Sequence, residues 1–215
     1  VLFGREGSVG GYGYRLEPHD SGVRFAVSAL SESDSAEPTH IQYLDTVGLE
    51  LSMSLNRSDR WMPLLKAVRE TRSFASYLER GDTSVFMQVQ ERWIPNWLRT
   101  VIGIRKFGWF ARKLLASKLA QRAMALIESA TPSDGQITRW IQSQHPDIVV
   151  VSPINFPTRP GDFSGEIEYV KAAKSLGIPT VVPVYSWDNL TARGLYHIRP
   201  DLTLVWNQSH VKDAV

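Results

Sequence analysis

The sequence predicts an α/β fold, a parallel β-sheet flanked by helices, and three observations carry that prediction. Over the last third of the chain the order reads helix, strand, helix, strand, connection, strand, helix, with apolar runs of strand type at 147–151, 180–185 and 202–206. A proline, Pro146, Pro179 or Pro200, stands just before each of these runs. The first run, Asp147-Ile148-Val149-Val150-Val151, is compact and β-branched, as in strands buried on both faces of a parallel sheet. Such alternation implies right-handed βαβ connections. The loops beginning at Ser152, at 186–194 and at Asn207 should then converge on one edge of the sheet, beyond the carboxyl ends of the strands, where ligands bind in open α/β sheets.

Taken in order, residues 1–14 are glycine-rich around a short apolar start, Val1-Leu2-Phe3. They suit either a phosphate-cradling loop after a first strand or a loose end, and the glycine spacing does not make the dinucleotide fingerprint. Val23 to Val27 alternates as a strand, 31–39 reads as a polar loop, and Leu49, Leu51, Met53 and Leu55 repeat with a period of two. Ser58 or Asp59 is placed to cap the next helix, with Pro63 in its first turn and Gly81 at its end. Leu64, Leu65, Val68, Phe74, Tyr77 and Leu78 would form its apolar side, and Lys66, Arg69, Glu70, Arg72 and Glu79 its polar side. Ser133 or Asp134 caps a short helix through Ile137, Trp140 and Ile141 that ends at His145-Pro146. After the 147–151 strand and a proline-rich loop, a helix from about Glu166 stops at Gly177.

At 215 residues and 43% hydrophobic content the chain can bury a core in one large domain or two small ones. The reading here is a single domain over 1–215, with a divergent or truncated start at 1–57, a basic aromatic helical segment at 91–128 and βαβ units at 133–215. No apolar run is long enough to span a bilayer. With no cysteine, disulfides, thiolate metal sites and a cysteine nucleophile are excluded, which fits a cytoplasmic setting. The five histidines show no ligand spacing, so no metal is expected. Because the first residue is Val1 and Val215 falls in the opening turns of a helix, the chain is expected to be a fragment or trimmed domain.

The net charge of +2 conceals an uneven distribution. From Arg92 to Ile127 there are eight basic residues, among them Arg105, Lys106, Arg112 and Lys113, and no acidic one. Trp93, Trp97, Phe107, Trp109, Phe110 and several leucines are interleaved with them, and Pro95, Gly103 and Gly108 predict two helical pieces meeting near 103–108. Two readings stand: a basic amphipathic surface lying on an anionic membrane, with Arg105, Lys106, Arg112 and Lys113 as its cations, or a core-facing helix with a solvated basic side. No nucleic-acid-binding motif is present.

The passages His145 to Val151, Tyr169 to Pro179, Ser186-Trp187-Asp188-Asn189-Leu190-Thr191-Ala192-Arg193-Gly194 and Arg199 to Asn207 together resemble the amino-terminal domain of bacterial proteins with the two-domain GT-B glycosyltransferase architecture. More distantly they are similar to CDP-glycerol glycerophosphotransferases. The resemblance covers the final third, and the 1–57 region departs from it. It implies a Rossmann-like domain that is the acceptor-side half of a transferase, with a nucleotide-activated donor as substrate and no further cofactor. The implied acceptor is an envelope component or lipid-linked, and the implied location is cytoplasmic, peripheral to the inner membrane face.

Within the 186–194 loop Asp188 is the only carboxylate and hence the candidate base for an acceptor hydroxyl. Ser186, Asn189 and Thr191 could hold sugar or phosphate oxygens, Arg193 could pair with a phosphate, and Trp187 could stack on a sugar ring. Ser152 and Asn155 are further polar candidates in the loop after 147–151. The same pattern suits purely structural roles, with Asp188 and Asn189 capping a helix or forming Asx turns and Trp187 packing under the loop. A non-catalytic α/β binding or membrane-association module is therefore the rival reading.

Overall fold

The structure, a computed structural model, describes residues 2–3, 26–28, 50–52, 55–81, 87–88, 91–92, 94–103, 105–151, 165–184, 190 and 195–214. The chain is mixed α/β. Its strands are β1 (Leu2–Phe3), β2 (Ala26–Ser28), β3 (Glu50–Ser52), β4 (Val149–Val151), β5 (Thr180–Pro183) and β6 (Leu202–Leu204). Its helices are α1 (Met62–Glu79), α2 (Asn96–Gly103), α3 (Arg105–Ala116), α4 (Lys118–Ala130), α5 (Gly135–Gln144), α6 (Glu166–Ser175) and α7 (Gln208–Ala214). The strands run in the order β3-β2-β1-β4-β5-β6, and every neighbouring pair is parallel. Strand β1 takes an inner place, with Leu2 opposite both Val27 and Val150, so the apolar start of the chain is a strand.

Around β4 and β5 the core follows from the sequence pattern. Val149, Val151 and Val182 are fully buried against Ile167, Val170, Ala172 and Ala173 of α6 and Ile137 and Ile141 of α5. Burying side chains of this size contributes roughly 1.5–3 kcal/mol each. Helix α6 lies on β4 and β5, α5 packs on α6, and Trp140 meets Tyr169 edge-on at 6.0 Å. The Tyr169 hydroxyl donates to the Leu55 carbonyl at 3.0 Å and accepts from the Leu55 amide at 2.6 Å, tying the segment ahead of α1 to α6. Asp134 caps α5 by accepting from the amides of Gln136 and Ile137. His145 closes that helix at φ 46°, and Gly177, just past the end of α6, sits at φ 72°.

A second core is helical: Phe74 of α1 packs with Ile94, Leu98 and Ile102, and Leu78, Met87, Ala111 and Leu115 flank them. Here the structure corrects the sequence reading in three places. The basic segment forms three helices, because Ser117 breaks the run and caps α4 by accepting from the Ala120 amide at 3.2 Å. Gly108 lies inside α3 and not at a helix boundary; a Cβ there would stand 2.0 Å from the Ile102 carbonyl oxygen, so it serves close packing of α3 on α2. At the start of α1 neither Ser58 nor Asp59 is the cap residue. Trp61 holds that position with no side-chain cap, while the Asp59 carboxylate, engaged by Arg57, also accepts from the Trp61 amide at 3.0 Å just ahead of the helix.

Candidate functional site

The parallel pairing of β4 with β5, Val149 opposite Thr180 and Val150 opposite Val181, sends both strands out of the same edge of the sheet. The exit from β5 is held firmly. The Val184 amide donates to the Leu204 carbonyl at 2.8 Å, and the Trp206 indole N–H donates to the Val184 carbonyl at 2.6 Å. At the opposite edge Asp201 accepts from the amide and hydroxyl of Thr180 and pairs with Lys174, contacts that hold its carboxyl down at about 2. The Asn207 side-chain oxygen accepts from the amides of Ser209 and His210, so it caps α7.

The helices packed around α6 enclose a buried network of ions. The Arg57 guanidinium, 2% exposed, makes a forked pair with Asp59 (2.8 and 2.7 Å), donates to Glu168 Oε2 (2.8 Å) and also reaches the Pro132 carbonyl. Arg69 makes a second fork on Glu128, both bonds 2.8 Å, and reaches Glu168 Oε1 at 2.6 Å. Lys171 Nζ completes it on the Glu128 carbonyl and carboxylate at 2.6 and 3.0 Å. Three carboxylates thus face three cations, and the forks supply the charge-assisted geometry that burial demands. Burial by itself raises the Glu128 carboxyl, but the Arg69 hydrogen bonds and the Arg69 and Lys171 charges overcome this and hold it at about 2. The network joins the segment ahead of α1 to α1, α4 and α6, fixing the place of α6, the helix that packs on β4 and β5.

Sequence reasoning placed Arg69 and Arg72 on the solvated side of α1 and Leu64 on its apolar side. The structure reverses this: Arg69 is buried, Arg72 is half-buried with a hydrogen bond to the His197 carbonyl, and Leu64 is exposed. His197 packs beneath α1 with Nε2 3.2 Å from the Ser73 hydroxyl. Burial and the nearby Arg69 and Arg72 charges push its pKa well down, which keeps it neutral. The available signal was Glu168 and Lys171 three residues apart inside an apolar run, with Glu128 at the end of a helix that has no other carboxylate.

Of the residues expected to carry the chemistry, Asp188, Ser186, Trp187, Asn189, Thr191, Arg193, Ser152 and Asn155 all lie outside the described residues. Arg105 and Lys106 open α3, and only their backbone is described. The structure separates the other two basic candidates. Arg112 turns inward, pairs with Glu91 at 2.7 Å and lies 5.7 Å over the Phe74 ring, whereas Lys113 is exposed, 4.2 Å over the Trp109 ring. Among the described residues no group of three His, Asp or Glu side chains could hold a metal, and no helix is long and apolar enough to cross a membrane. Comparison with protein-family models, curated proteins and solved structures finds no match to this chain.

Proposed function

We propose that this chain is the Rossmann-like, acceptor-side domain of a GT-B-type transferase, which moves a sugar or glycerophosphate from a nucleotide-activated donor to an envelope or lipid-linked acceptor at the cytoplasmic face of the inner membrane. The observation that supports it is the parallel strand order turning back at β1, with β4 and β5 adjacent. In sheets of that order ligands sit beyond the carboxyl ends near the point of reversal. The segments that follow β4 and β5 contain Ser152 and Asn155 on one side and Ser186 to Arg193 on the other. On this reading Asp188 accepts the proton of the acceptor hydroxyl as its oxygen attacks the donor, and the nucleotide leaves with the electron pair of the broken bond. Arg193 balances the charge on the leaving phosphate, while Ser186, Asn189 and Thr191 orient the oxygens and Trp187 stacks on the sugar.

The second reading, a non-catalytic binding or membrane-association module, is favoured by the large exposed apolar side chains of α2, α3 and α4. Turnover of nucleotide-activated sugars and of CDP-glycerol by the intact protein, with Asp188→Asn alongside, separates the two. Turnover abolished by Asp188→Asn with an unchanged melting temperature is the expected result. Normal turnover in that variant removes Asp188 from the mechanism, and neither donor binding nor turnover in the unmodified protein leaves the module reading.

A further inference from the structure

Helices α3 and α4 both pack against α1. On α3 the side toward the protein carries Ala111, Arg112 and Leu115; on α4 it carries Glu128 of the ion network. The sides turned away are apolar, where a solvated helix would be polar. On α3, Trp109, Phe110, Lys113 and Leu114 recur three or four residues apart, with Trp109 63% and Phe110 60% exposed. On α4, Leu119, Arg122, Ala123 and Leu126 do the same, with Leu119 78% and Leu126 68% exposed. Isolated exposed leucines need no explanation, but two consecutive helices presenting aromatic and leucine side chains in this way mark a contact surface.

From this we infer that the outer face of α3 and α4 docks on an anionic lipid bilayer, with Trp109, Phe110, Leu114, Leu119 and Leu126 entering the headgroup boundary and Lys113, Lys118 and Arg122 meeting the lipid phosphates. Charge selects this occupant. No carboxylate occurs between Arg92 and Ile127, Glu91 is engaged by Arg112, and Glu128 is buried in the network, so nothing on the face repels an anionic surface. Protein interfaces are depleted of lysine, and a symmetric contact with a second copy would bring together two faces whose charges are all positive. Nucleic-acid interfaces are more polar than a row of exposed leucines allows. Lys113 over the Trp109 ring holds cation and indole together, the pairing suited to a headgroup layer wet on one side and apolar on the other. Arg112, a docking candidate by sequence, belongs to the fold.

The inference rests on the membrane-association reading given above and deepens it; its test reads lipid binding and not turnover, so its failure and the failure of the transferase reading are distinguishable. Its test is sedimentation of the purified protein with vesicles of phosphatidylcholine alone and of equimolar phosphatidylcholine and phosphatidylglycerol. Binding should require the anionic lipid and weaken with salt. Lys113→Gln, Lys118→Gln and Arg122→Gln combined should lower partitioning about a hundredfold, roughly fivefold per charge. Trp109→Ser with Phe110→Ser should lower it as well, and the melting temperature should hold in both variants because every changed residue is exposed. Equal binding to both vesicle types, or binding unaltered in either variant, overturns the proposal. So does lipid-free self-association that Trp109→Ser with Phe110→Ser abolishes, which would give the face to a second copy.

Discussion

Replacing Glu128 by Gln should be the most damaging single change of similar volume in this protein. The carboxylate is 1% exposed and neutralises Arg69 through a forked pair and Lys171 through a further bond. Gln keeps the shape and removes the charge, so Lys171 loses the carboxylate it pairs with and Arg69 loses its forked pair. The magnitude follows from the carboxyl being held at about 2 against 4.5 for a free glutamate. At roughly 1.4 kcal/mol per unit this is about 3 kcal/mol of stability, the low end of what breaking a buried pair costs. The folded pKa is depressed, so the contribution is fully present above 4.5 and is lost as pH falls toward about 2, where the unfolded chain takes up a proton that the folded one refuses. Urea unfolding followed by tryptophan fluorescence at pH 7, and at steps from pH 5 down, should show an acid-sensitive limb that is shallower in Glu128→Gln, where Asp201 still contributes. Replacing Glu128 and Lys171 together by apolar residues should recover much of the loss, because two carboxylates then face two cations and it is the unpaired charge that costs. A loss below about 1 kcal/mol at pH 7, or an acid limb identical in the two proteins, would refute this account of the network.

Two further changes test the packing. Gly108→Ala should lower the melting temperature although alanine favours a helix by about 1 kcal/mol, because its Cβ would meet the Ile102 carbonyl oxygen at 2.0 Å and force α2 and α3 apart; a raised melting temperature would show that contact to be soft. Tyr169→Phe removes the hydroxyl that satisfies both the amide and the carbonyl of Leu55, and should cost about 1–3 kcal/mol in urea unfolding. No measurable loss there would mean that water replaces the hydroxyl.

Much of the fold was legible because local rules act on it directly. The run 147–151, Asp134 ahead of an apolar period, and Gly177 after another each announce their element through propensity, capping or the left-handed conformation. Strand-helix alternation likewise carries the parallel pairing of β4 and β5, since a strand followed by a crossover helix returns in the same direction. The glycine-rich start was harder to read, because a two-residue strand carries almost no periodic signal. The loop expected to hold Asp188 rests on sequence alone.

What the sequence by itself determined is therefore the elements from α5 onward and the uneven charge: that α5, β4, α6, β5 and β6 follow one another, that this stretch of chain carries no cysteine, and that the run from Arg92 to Ile127 is basic throughout. Only the tertiary structure decided which polar groups go inside. Arg57, Arg69, Glu128, Glu168 and Lys171 come from four separate stretches, and on any one helix each looks like an ordinary solvated charge; their burial depends on partners more than forty residues away that pair only when the helices have docked. The same holds in reverse for Trp109, Phe110, Leu119 and Leu126, whose spacing suits a buried face until the packing of α3 and α4 on α1 turns that face outward. Periodicity fixes which side chains share a side of a helix, and docking alone fixes which side meets water.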